Sequence, residues 1–263
     1  MLADKTAIIY GGGGAIGGAV ARAFAREGAR IFLAGRTLSK LVRVATEISA
    51  QGGDVEITEI DAFDEEAVKA HADMVASKTG GIDIALNAIG LVHVQGTAFA
   101  DLSLDDYAFP IIAYAQAHFI TAKAVAFHMA KRGSGVILTL STPGGYLPGT
   151  GYLGFGVACA AIEGFSRLLA CELAPSGIRV ICLRPHALPE ALACGSHGRQ
   201  VFKPMADRAG ITVDEMLAGP AQTLLKRYPT LAEVAETAVF MASDKAGAMT
   251  GTVANLTCGT LLD

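Results

Sequence analysis

Tryptophan is absent from this chain of 263 residues, aromatic residues make up only 6% and charged residues only 17%. With hydrophobic residues at 52%, there is ample material for a core, which excludes a disordered chain. The 21 Lys+Arg and 25 Asp+Glu give a formal charge of -4 and are scattered, with no basic tract. Nucleic acid and anionic membrane are therefore not expected partners. Cysteines are few and odd in number (Cys159, Cys171, Cys182, Cys194, Cys258) and show no CxxC spacing. A disulfide framework or a metal centre is not expected, and a reducing, cytoplasmic location is. The first residues place Asp4 and then glycines where a signal peptide needs its apolar stretch. The most membrane-like segment, 107–130, contains Pro110, Gln116, His118, Lys123 and His128. It reads as a buried helix rather than a span.

What the chain does have is rhythm. Short β-branched apolar runs at 6–10, 30–35, 55–61, 82–88, 135–141, 178–185 and 253–257 alternate with helical stretches such as 19–28. Strands separated by helices pair in parallel through right-handed crossovers. The expectation is an α/β fold in one domain, 1–263, built on a doubly wound parallel sheet of about seven strands of the Rossmann type. Only 186–229 breaks the rhythm, with Pro, Gly and short helical pieces. A long irregular stretch after a strand's carboxyl end is expected to be a substrate lid. Its Leu188, Leu192, Phe202, Met205, Met216 and Leu217 suit an apolar small molecule.

The first strand runs into Gly11, Gly12, Gly13, Gly14, Ala15, Ile16, Gly17 and Gly18, followed by a helix. Glycines there let the backbone turn tightly and approach a pyrophosphate at the helix N-terminus. An NAD site usually carries Asp or Glu at the end of the second strand; this chain has Gly35, then Arg36, Thr37, Ser39 and Lys40. A guanidinium with nearby hydroxyls suits a 2′-phosphate, so NADP(H) is favoured over NAD(H).

Over nearly its whole length the chain resembles the classical short-chain dehydrogenase/reductase family. Its TGxxxGxG motif appears as YGGGGAIG (10–17) and its NNAG motif as Asn87-Ala88-Ile89-Gly90. The segments at 172–180, Pro185, Thr250-Gly251 and 256–259 are also similar to the family's. The resemblance implies a cofactor site formed by Gly11, Gly13, Gly14, Ile16, Gly17, Arg36, Thr37, Asp61, Ala62, Asn87, Ala88, Gly90 and Pro185. It also implies a homotetramer or homodimer formed through the helices containing 107–130 and 155–173.

The family's chemistry uses a serine, a tyrosine, a lysine four residues later and an asparagine. In register these positions hold Thr142, Phe155, Cys159 and Tyr114. Phe155 has no proton to exchange, and positioned acid–base help is worth about 10²–10⁴-fold. Cys159 supplies no fixed charge and reads as a small core hydrophobe. Tyr152, seven residues before Cys159, resembles the acid of the enoyl-thioester reductases. Tyr152 as acid and Thr142 as polarising hydroxyl are the expected catalytic pair, with His186 in reserve; His93 and His118 are further titratable candidates. Two readings stay open. One is a reductase of an activated C=C, C=N or C=O bond. The other is an inactive cofactor-binding homologue that senses, regulates or supports an oligomeric partner.

Overall fold

The structure is a computed structural model describing residues 1–194, 196–218 and 223–262. The strands are β1 (Thr6–Tyr10), β2 (Arg30–Gly35), β3 (Val55–Glu59), β4 (Ile84–Asn87), β5 (Gly135–Leu140), β6 (Ile178–Pro185) and β7 (Thr252–Leu256). They form one parallel sheet in the order β3-β2-β1-β4-β5-β6-β7. The fold is thus the expected seven-stranded, doubly wound Rossmann architecture. Three strand readings were too long, 55–61, 82–88 and, by one residue, 135–141. The apolar text continues through Ile60 and begins at Ile82, yet both residues are buried beside the ladder rather than in it.

Between the strands run α1 (Ala15–Arg26), α2 (Leu38–Ala50), α3 (Glu65–Thr79), α4 (Leu104–Arg132) and α5 (Leu153–Leu173). The segment after β6 holds α6 (Pro189–Ala193), α7 (Gly198–Ala209) and α8 (Val213–Ala218), and α9 (Leu231–Ala242) leads to β7. The irregular stretch predicted for 186–229 therefore contains three short helices; residues 195 and 219–222 of it lie outside the described residues. Local chemistry marks the helix ends. Asp64 and Ser103 accept N–H groups at the starts of α3 and α4, and Thr230 with Glu233 forms a capping box on α9. Left-handed Gly80 and Gly133 close α3 and α4.

Strand alternation divides the core. Ala7, Ile9, Ile31 and Leu33 face α1, α2 and α9, whereas Ile8, Tyr10, Phe32 and Ala34 face α3, α4 and α5. Both faces are covered over the central strands, which is why β1, β2 and β5 are mostly apolar, whereas the edge strand β3 is only partly buried and carries Glu56 and Glu59. The hydropathy reading needs one correction. The stretch long and apolar enough to cross a bilayer is 153–176, not 107–130, whose polar side chains dilute it. In this fold 153–173 packs on α4 and β6 as a core helix.

Candidate active site

β1 and β4 are neighbours whose connections leave in opposite directions, the switch point beyond whose strand carboxyl ends sheets of this kind bind their ligands. Gly11 carries the chain out of β1 at a φ of 77°, a conformation costly for other residues. A Cβ on Gly11 would run into the Ala88 carbonyl after β4, and one on Gly17 into the carbonyl of Gly11. One on Gly13 would stand 2.8 Å from Lys40 Cβ. The turn is thus packed backbone on backbone. The helix begins at Ala15, earlier than the sequence reading, so Gly17 and Gly18 belong to α1 rather than to the turn. No side chain caps the N-terminus of α1, whose Ncap is Gly14. Its first N–H groups and partial positive charge suit a phosphate.

The remaining cofactor candidates line the same edge. Gly35 ends β2, with Arg36 exposed and Thr37 at the Ncap of α2. Asp61 follows β3 and is exposed, its carboxylate accepting from Phe63 N–H, and Ala62 is half-buried beside it. Asn87 ties β4 to α4: its amide donates to Ala117 O at 3.2 Å and to Thr121 Oγ1 at 2.9 Å. Ile16 packs with Leu188 of the segment after β6 and with Leu231 and Val234 of α9. Pro185 ends β6. His197 of the segment after β6 lies against Gly90, where a Cβ would stand 2.7 Å from Nδ1.

The catalytic corner is built by β5, α4 and α5. Thr142 follows β5 and accepts Gly144 N–H at 3.2 Å, and its Oγ1 pairs with Cys159 Sγ at 3.2 Å. Cys159 is 1% exposed, and burial pushes its thiol up to about 11, so it stays protonated at neutral pH. Phe155 stacks on the His93 ring at 4.5 Å between centroids, and Tyr114 tilts against Phe155 at 6.2 Å. Leu91, Ala113, Ala158 and Ile162 complete an apolar cluster around these residues.

His93 is pinned by Leu91 O at 2.8 Å and by Gln95 Nε2 at 2.9 Å; burial lowers its pKa, which favours the neutral ring. Tyr152 donates its O–H to Leu147 O at 2.7 Å, within its own loop. His186 lies against Tyr228 at 5.0 Å, and its Nδ1 accepts Ala187 N–H. His118 is buried beneath the site, with Nδ1 on Tyr114 O, and burial drives its pKa to about 4. The tertiary structure thus brings Thr142, Cys159, Phe155, Tyr114 and His93 together. Neither Tyr152 nor His186 hydrogen-bonds to Thr142 or Cys159 among the described residues.

Two features escaped the sequence reading. Gln95 orients His93, with no motif to announce it. The other is a buried ion pair behind Thr142. Arg184 Nε and Nη2 donate to Glu163 at 2.7 and 3.1 Å, and Ser141 Oγ and Tyr146 Oη donate to the same carboxylate at 2.8 and 2.7 Å. Burial alone would push the Glu163 carboxyl up, but Arg184, Tyr146 and Ser141 hold it below the usual carboxylate range. The signal was present: a lone charge inside each of two apolar runs, AAIEGF and ICLRP. A cavity of about 380 Å³ lies at the opposite edge of the sheet, lined by Lys5, Asp83, Ser134, Arg179 and Asp244 among others, and borders none of these groups.

The family described as enoyl-(acyl carrier protein) reductase matches residues 13–260. An uncharacterized oxidoreductase of Mycobacterium tuberculosis is 31% identical over 254 residues, covering 95% of this chain and 89% of that protein. The oxidoreductase UcpA of Salmonella typhimurium is 31% identical over 252 residues, covering 95% and 92%. Among solved structures, a short-chain type dehydrogenase/reductase from Mycobacterium marinum is 27% identical, with a TM-score of 0.79 and coverage of 96% and 93%. NAD+-bound xylitol dehydrogenase shares the fold with a TM-score of 0.88 at 23% identity, covering 98% and 99%. With the glycine turn at the switch point and these matches along nearly its whole length, the chain belongs to the classical short-chain dehydrogenase/reductase family of NAD(P)-binding oxidoreductases.

Proposed function

We propose that the protein is an NADP(H)-dependent reductase of an activated C=C, C=N or C=O bond in an apolar small molecule. The observation that carries this reading is a contrast within one cleft. The cradle is closed backbone on backbone at Gly11, Gly14 and Gly17 and against Lys40 Cβ at Gly13, while the catalytic corner offers hydroxyls and a protonated thiol in an apolar wall. The cradle fits a dinucleotide, whose pyrophosphate would be held by Gly13, Gly14 and the start of α1. Asp61, Ala62, Asn87, Ala88, Ile16, Gly90 and Pro185 would line its remaining length. A reduced nicotinamide bound there supplies a hydride to an electrophilic carbon. Thr142 polarises the atom that receives the electron pair, and the lid excludes water from above. An activated bond needs less acid assistance than a simple ketone, which suits a corner without the family's tyrosine and lysine.

Gly35 and Arg36 support the NADP(H) preference, because no carboxylate stands at the end of β2 and a guanidinium follows it. NADPH is expected to bind about tenfold more tightly than NADH, and Arg36→Ala to erase most of the difference. Equal dissociation constants in the parent protein, by fluorescence titration, would refute the preference. Apolar side chains on α4 and α5, among them Ile112, Phe119, Phe127 and Leu168, are at least half exposed. They support a homodimer or homotetramer, and a cytoplasmic location goes with the reading.

Phe155 and Cys159 favour the second reading, an inactive cofactor-binding homologue. Assaying NADPH oxidation against ketones, enones and imines separates the two. Consumption establishes the reductase, and tight NADPH binding with no turnover establishes the sensor.

A further inference from the structure

The family draws its phenol from α5, and here that position is Phe155. Yet a phenol stands in the same corner, carried by the facing helix. Tyr114 projects from α4 into the cluster against which Phe155 packs, its ring 6.2 Å from Phe155 and 6.3 Å from His93. Its Oη accepts the N–H of Leu91 at 3.3 Å. Among the described residues nothing accepts the proton of Tyr114 itself. The other phenols near the site are committed: Tyr152 donates to Leu147 O and Tyr146 to the Glu163 carboxylate. Thr142 is engaged with the Cys159 thiol.

We infer that Tyr114 is the proton donor of the rebuilt site, with the Leu91 N–H holding the phenolate that forms. This rests on the reductase reading above. The substrate's π bond is replaced by a C–H bond made with the cofactor's hydride and both its electrons. The displaced π pair moves to the heteroatom, or through a conjugated system to the enolate oxygen. There the Tyr114 O–H breaks and its proton bonds to that atom. The phenolate stays on the Leu91 N–H until solvent returns a proton, so each reduced bond consumes one reduced dinucleotide and one proton.

Burial pushes the Tyr114 phenol up to about 12, the Leu91 N–H opposing it only in part, so the group is a protonated phenol at neutral pH.

The test uses the whole protein. Tyr114→Phe should lower the turnover number for an enone or imine by about 100-fold or more while leaving NADPH affinity within about threefold. Independently of turnover, the protein labelled with [13Cζ]tyrosine and saturated with NADP+ is titrated with cyclohexenone. The resonance missing from Tyr114→Phe should shift, and that of Tyr152 should not. A Tyr114→Phe protein that turns over like the parent, or a bound enone that leaves the Tyr114 resonance unmoved, overturns this assignment alone. If no ketone, enone or imine binds or is reduced, the reductase reading falls and takes this one with it.

Discussion

The glycine turn and the catalytic corner sit at the same edge of one sheet, yet the family pattern survives in the first and fails in the second. The turn is made of backbone: Gly11 touches Ala88 and Gly17 touches Gly11, so its residue types are dictated by space. The corner is made of side chains on a scaffold that does not depend on them. Phe155 and Cys159 stand at the positions read as the family's tyrosine and lysine; Phe155 packs in the apolar cluster between α4 and α5, and Cys159 is buried beside Thr142. Chemistry carried by side chains can thus be exchanged without moving the helices, whereas chemistry carried by the backbone cannot.

The comparison can be broken at its support first. Arg184→Met leaves the fully buried Glu163 without its cation, and removing one partner of such a pair costs about 3–5 kcal/mol. Urea unfolding measures this directly. In the parent, Glu163 has a folded pKa below its ordinary 4.5, so its contribution is present above that value and is lost as pH falls through the folded pKa. In the variant the uncompensated carboxyl rises, so its contribution turns round and stability falls as pH climbs toward neutrality. A variant with the parent's midpoint and pH profile would show that the pair does not support the Thr142 loop.

At the turn, Gly17→Val should lower dinucleotide affinity by about 100-fold or more, roughly 2.7 kcal/mol, because any Cβ there collides with the Gly11 carbonyl. Circular dichroism should still report a folded protein, and calorimetric titration should report the lost binding. Normal affinity would mean that the pyrophosphate does not sit at this turn.

The smallest effect is expected where the pattern has already failed. Restoring the family pair with Phe155→Tyr and Cys159→Lys should not create ketone reduction. The new ammonium would enter a site that is 1% exposed and closed by Tyr114, at a cost of about 1–3 kcal/mol in overpacking. Recovery of ketone turnover would mean instead that the corner is a decayed carbonyl reductase rather than a rebuilt one.

Much of this was legible before any coordinates. The seven strands lie where β-branched runs alternate with helical stretches, because the central strands, buried on both faces, need apolar residues on both. The glycine run marked the turn after β1 for a similar local reason, though Gly17 and Gly18 proved to be helical. Arg36 was visible because Gly35 ends the strand before it.

The sequence by itself determined the order and type of the elements, the place of the glycine turn and the residue types at positions 155 and 159. These are local properties, set by side-chain period, backbone freedom and residue identity. Only the tertiary structure decided which side chains meet. Tyr114 and Phe155 are far apart in the chain and stand on different helices, and Glu163 and Arg184 come from a helix and a strand. The crossing of α4 and α5 sets the first meeting, and the docking of α5 on β6 sets the second. A hydrogen bond such as that from Leu91 to Tyr114 needs a geometry that no spacing along the chain encodes.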